Sequence, residues 1–141
     1  MATLNFFNIF SQDLAKGNHK FGSDVIKVML TNTAPVATNA IKSDITEITA
    51  ANGYSAGGPT VATISTTLTT AQTKVVASAD SVVTATGAVG PFRYAVIYND
   101  TTASPVKPLI AWLDYGSAVT MANAETFTVD FDQTNGIFTV N

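Results

Sequence analysis

Few residues of this 141-residue chain have the type and spacing to do chemistry. A Ser-His-Asp relay needs a histidine that reaches both partners, and His19 is the only one in the sequence. It lies in the polar run Gly17-Asn18-His19-Lys20 and reads as a solvated turn residue. Asp130 and Asp132 point the same way on a strand, about 6.5–7 Å apart, which is near the separation of inverting glycosidases. Their neighbours Thr126 and Thr128 mark a wet face with nothing to bury one carboxyl, so the pair reads as solvated. Asn99, Asp100 and Asp114 offer oxygens of the kind calcium takes, but fewer than the roughly six to eight it needs. The Gly-rich run at 51–59 lacks the lysine and the following helix of a phosphate cradle, since Pro59 leads into a strand. Tyr94, Tyr98, Trp112 and Tyr115 are aromatics of the sort that stack on sugar rings, yet strands with two apolar faces send such residues to the interior. Arg93, set among them, reads either as a paired guanidinium or as an interface anchor. The sequence assigns no catalytic residue, cofactor or metal, and the expectation is a protein that is not an enzyme.

These residues depend on one stretch, from Gly90 to Gly116. Its first half sets Phe92, Tyr94, Val96 and Tyr98 against Arg93, Ala95 and Ile97. Its second half sets Leu109, Ala111, Leu113 and Tyr115 against Ile110, Trp112 and Asp114. Both faces of both strands are mostly apolar, which predicts two strands covered on both sides at the centre of the fold. Tyr54, Phe127 and Phe131 are the expected packing partners from elsewhere.

Ahead of that stretch, Phe6, Phe7, Phe10 and Leu14 fall at helical spacing within 4–16, with Gly17 placed as a stop. Residues 1–22 are therefore expected to form a short helix or an apolar arm, and residues 23–141 a single β-sandwich domain. The phenylalanines either cap the domain's own core or insert into a neighbouring subunit. Residues 24–31 read as the first strand, and short helical turns are expected near 38–41 and 43–48. Strands follow at 60–69, 74–78, 81–85 and 118–121. Between 125 and 132, Phe127, Val129 and Phe131 alternate with polar residues. Asn135-Gly136 then signals a hairpin into a last strand at 137–140. About eight strands with frequent turns make the fold all-β, a sandwich, jelly roll or small barrel.

Composition narrows the function classes. The absence of cysteine excludes disulfides and thiolate metal sites, and a single histidine excludes a multi-His zinc site within one chain. Charged residues make up only 12%, so Thr, Ser and Asn must build the polar surface. A net charge of -3 without a basic cluster argues against nucleic acid. No run approaches the length of a membrane helix and the first residues do not form a signal peptide, so synthesis in a cytoplasm without membrane insertion is expected.

Five segments together resemble small structural proteins of tailed bacteriophages, in particular the head decoration, or cement, proteins. They are Val-Met-Leu-Thr-Asn-Thr-Ala-Pro from Val28, Asn-Gly-Tyr-Ser-Ala-Gly-Gly from Asn52, the run from Gly90 to Asp100, Pro-Leu-Ile-Ala-Trp-Leu-Asp-Tyr-Gly from Pro108, and Glu-Thr-Phe-Thr-Val-Asp-Phe from Glu125. The resemblance implies a jelly-roll-like β-sandwich that joins the virion on the capsid exterior. It further implies the major capsid protein as partner and self-association as a homodimer or homotrimer. Phe6, Phe7, Ile9, Phe10 and Arg93 are the candidate interface residues. The alternative is a receptor- or carbohydrate-binding β-module of a phage tail.

Overall fold

Residues 3–141 are described by a computed structural model. Its elements run β1 (Leu4–Phe6), α1 (Ile9–Ala15), β2 (Ile26–Thr31), a 3-10 turn (Lys42–Asp44), β3 (Ile64–Thr69), β4 (Gln72–Ala77), β5 (Ser81–Thr84), β6 (Val89–Asn99), β7 (Leu109–Met121), β8 (Thr126–Val129) and β9 (Phe138–Val140). The fold is an all-β sandwich with one short helix. One layer is a four-stranded antiparallel sheet in the order β1-β7-β6-β2, and the facing layer is built from the sheets β3-β4-β9 and β5-β8.

The long strands β6 and β7 lie at the centre because both of their faces are apolar. On one face Ile26, Val28, Ala95, Ile97, Ile110 and Leu113 meet Val75, Ala77, Val83, Val129 and Phe138 of the smaller sheets. On the other, Met29, Val96, Tyr98 and Leu109 form a second cluster with Phe7 and Ile45, against which Trp112 packs. Strict alternation fails where the β6–β7 register shifts, between Val89 and Phe92, between Phe92 and Tyr94, and between Ile97 and Tyr98. Ile97 pairs with Ala111 but Tyr98 with Leu109, so Ile110 is bulged and joins Ala111 on the first face. Between Phe92↔Val119 and Tyr94↔Asp114 the register shifts again, and Phe92 turns to the face of Ala95 and Ile97 instead of that of Tyr94. The expected face for Phe92 is thus corrected by a bulge, while Phe92 does meet Phe127, at 4.8 Å between ring centroids.

The outer edge of β2 is closed by loops. Val28 N–H donates to Pro59, Ile48 N–H to Leu30, and Val61 N–H to Ile26. Of the two helical turns expected between 38 and 48, one forms, at Lys42–Asp44, where the Asp44 carboxylate accepts the N–H groups of Ala40 and Ile41. Residues 118–121 continue β7 and make no separate strand. The Asn135-Gly136 turn does not return β9 onto β8; β9 crosses to pair with β4. Nine strands are present among the described residues.

Candidate functional site

The amino-terminal phenylalanines split between three environments. Residues 4–6 are extended and pair with 111–113 of β7, so the adjacent Phe6 and Phe7 point to opposite faces. Phe7 is buried against Trp112, 4.6 Å between centroids. The helix begins only at Ile9 and buries Phe10 in the main core, where its ring lies 5.3 Å from that of Phe138. Gly17, at φ +77°, ends it in a Schellman arrangement, its N–H donating to Leu14 and that of Asn18 to Asp13. Ile9 is half-buried at the second cluster. Phe6 is the most exposed of these. It is 42% exposed, stacked on Phe10 at 5.4 Å and edge-on to Phe138 at 5.4 Å. It lines an open groove of about 510 Å³ with Phe10, Leu14, Thr139 and Val140, at the seam where the edge strands β1 and β9 of the two layers meet.

Arg93 lies on the outer part of β6 and forms a two-pronged ion pair with Asp114 of β7, Nε to Oδ1 at 2.8 Å and a terminal nitrogen to Oδ2 at 3.0 Å. The guanidinium also stands 5.2 Å from the centroid of Tyr94. The hydrogen bonds from Arg93, followed by that from the Gly116 N–H, hold the Asp114 carboxyl below the usual carboxylate range. Arg93 is therefore paired within its own chain. Its half-exposed position leaves one side of the pair open to solvent.

The β3–β4 hairpin reaches beyond the core. After Ile64, every residue of β3 is exposed, and Leu68 is 73% exposed. The strand carries no charge, proline or glycine.

Two polar networks pin loops to this frame. In the first, Glu47 accepts hydrogen bonds from Tyr54 Oη and Gly57 N–H, both at 2.6 Å, and from Lys42 Nζ at 2.8 Å. Tyr54 Oη in turn accepts the Leu30 N–H, and Tyr98 Oη donates to the Gly57 carbonyl. Burial works against the Glu47 charge, but the bonds from Lys42, Tyr54 and Gly57 together hold its carboxyl below the ordinary value. Burial, then the bond to Glu47, pushes the Tyr54 phenol up. The Gly-rich loop is thus a structural clamp over the β2 edge.

The second network corrects the reading of His19. It is not a solvated turn residue but is 5% exposed, between the rings of Phe10 at 5.4 Å and Phe21 at 5.8 Å. Asn99, fully buried at the end of β6, places Nδ2 3.2 Å from His19 Nδ1 and donates to Asp24 at 2.7 Å. Its Oδ1 accepts the N–H groups of Thr101 and Thr102, which fixes the amide's orientation. His19 Nδ1 is therefore the acceptor, and the buried Nε2 has no partner among the described residues; burial lowers the imidazole pKa. Sequence reasoning placed Asn99 with Asp100 and Asp114 and did not see its bond to a residue 80 positions away.

The remaining candidates separate. Asp100 pairs with Lys27 and Lys107, and Asp114 with Arg93, so the three residues considered for calcium serve different contacts. No group of three or more His, Asp and Glu side chains suited to a metal occurs among the described residues. Asp132 caps its own turn, accepting the N–H groups of Thr134 and Asn135, while Asp130 is exposed at the end of β8. Tyr98 is fully buried, Tyr94 nearly so, Trp112 covers Phe7, and Tyr115 packs on Phe127 at 5.0 Å, so the four aromatics form no continuous outer platform. Among the described residues no helix is long and apolar enough to cross a membrane. Comparison with protein-family models, with curated proteins and with solved structures finds no match for this chain.

Proposed function

We propose that this chain is a structural subunit of a tailed-phage head, a decoration protein that binds the major capsid protein on the capsid exterior and stiffens the shell without catalysing a reaction. The observation that carries this reading is Phe6, a large apolar side chain 42% exposed in an open groove between two sheet edges. Such a groove accepts an apolar side chain or extended segment from a neighbour while the strands around it stay rigid. The polar clamps fit the same role, because a cement has to hold its shape under load. The resemblance of the five segments points in the same direction.

Capsids lacking the chain, mixed with purified protein, provide the test. Removing residues 2–10 would strip β1 and two core phenylalanines, so the informative variant is Phe6→Ser. Stoichiometric addition of the wild type and loss of addition by a folded Phe6→Ser variant are expected. No addition by the wild type would overturn the reading. Selective binding of the wild type on a glycan array would favour a receptor-binding module of a tail.

A further inference from the structure

The outer edge of β3 is open, and the strand bears none of the features that usually protect an edge. The other edges of the two main sheets are guarded: β2 is covered by the 48–61 loops, and β1 and β9 are only three residues long. β3 is six residues long, has unbroken register with β4 and contains no charge, proline or bulge. The two-residue turn Thr70-Ala71, with φ of +43° and +61°, closes on the pair Thr69↔Gln72. That pair is hydrogen-bonded, so alternation turns the backbone groups of Thr67 and Ser65 toward β4 and those of Thr66 and Leu68 outward. The bond from Ser78 N–H to the Thr63 carbonyl follows the same phase. At the Ile64 end the turn at 20–24 flanks the strand, where a Cβ on Gly22 would stand 3.8 Å from the Ile64 carbonyl oxygen. The free part of the edge therefore runs from Ser65 to Thr69.

We infer that this edge pairs antiparallel with the same edge of a second copy, across a two-fold axis at Thr67. This register opposes Thr67 to Thr67, Thr66 to Leu68 and Ser65 to Thr69, and it uses every outward N–H and C=O of Thr66 and Leu68. A second copy fits better than a charged or irregular strand for two reasons. Identical uncharged strands meet without like-charge repulsion. The register also sets the two Leu68 side chains diagonally on one face, about 7–8 Å apart, within reach of each other. It covers the most exposed large apolar side chain among the described residues. The inference stands whether or not the chain coats a phage head.

The chain has no cysteine, so single-cysteine variants report the register directly. Thr67→Cys places two thiols opposite each other at the axis and is expected to give a disulfide-linked dimer under mild oxidation. Ser65→Cys puts its thiols roughly four residues, or about 13 Å, out of step and is expected to stay unlinked. In parallel, sedimentation of the wild type over a range of concentrations should show a dimer, which Leu68→Lys and Thr66→Pro weaken about tenfold or more. The Thr66 N–H points outward, so proline there breaks no bond to β4, and an unchanged urea midpoint verifies that these variants fold. A wild type that stays monomeric at all concentrations, or Ser65→Cys linking as fast as Thr67→Cys, would overturn the pairing. The first result would leave the edge to a strand of another protein.

Discussion

Asn99 Nδ2 lies 3.2 Å from His19 Nδ1, joining the end of the central strand β6 to the turn that follows α1. Burial in a site walled by Phe10 and Phe21 favours the neutral imidazole, whose Nδ1 accepts from the Asn99 amide. Burial lowers the His19 pKa below 6.5, and Asp13 and Asp24 oppose that shift without reversing it. The unfolded chain therefore takes up a proton before the folded one does. Stability from this group is complete above about pH 6.5 and is lost as pH falls through 6.5 toward the depressed value. Urea midpoints measured between pH 7.5 and 5 are expected to fall for the wild type and to fall less for His19→Gln. An equal slope in both would show that His19 titrates as it does in the unfolded chain.

Tyr54 and Glu47 form a coupled pair. Tyr54→Phe removes the acceptor of the Leu30 N–H on a buried strand edge and is expected to cost about 1–3 kcal/mol. Glu47→Gln loses a charge-assisted contact to Lys42 and should cost about 1.5–3 kcal/mol. Because both changes break the same clamp, the double variant should cost less than the sum of the two. Glu47, held below its ordinary pKa, contributes stability present above about 4.5 that is lost as pH falls through its folded value. Glu47→Gln should remove that acid-side loss.

The adjacent phenylalanines Phe6 and Phe7 should differ sharply in their effects. Phe7→Ala empties a buried site against Trp112 and is expected to destabilise by about 3–5 kcal/mol. Phe6→Ala removes a ring already 42% exposed and should cost about 1 kcal/mol. Equal costs would contradict the alternation that sends them to opposite faces.

Gly58 is set by contact and Gly17 only by backbone angle. A Cβ on Gly58 would fall 1.8 Å from the Val28 carbonyl oxygen, at φ +75°, so Gly58→Ala forces the clamp loop off β2 and should cost more than about 3 kcal/mol. Gly17 has nothing within 4 Å and φ of +77°, so Gly17→Ala should cost only about 1 kcal/mol. Thermal melts of the two variants make the comparison.

How much of this was legible can be judged from particular residues. The two-faced apolar pattern of 92–98 and 109–115 located the central strands, because burial on both sides leaves no polar alternation to hide them. Phe127 and Phe131 were legible for the opposite reason, because they alternate with polar residues along 125–132 and so mark a strand with one inward face. The helical spacing of Phe6, Phe7, Phe10 and Leu14 misled at its start. Three extended residues held by β7 displaced the helix to Ile9, since bonds to an existing strand outweigh the propensity of a single turn. His19 among polar neighbours gave no sign of burial, and neither did Asn99 reveal its partner.

By itself the sequence determined the fold class, the central strand pair and the lack of thiol chemistry, all of which follow from residue type and short-range period. The tertiary structure decided which edges stayed open, which bulges switched Phe92 and Ile110 to their faces, and where β9 found its partner. It also brought Asn99 to His19 and Tyr54 to Leu30. The last two contacts join groups 80 and 24 positions apart in the chain, and such pairings leave no periodic trace in the residues that make them.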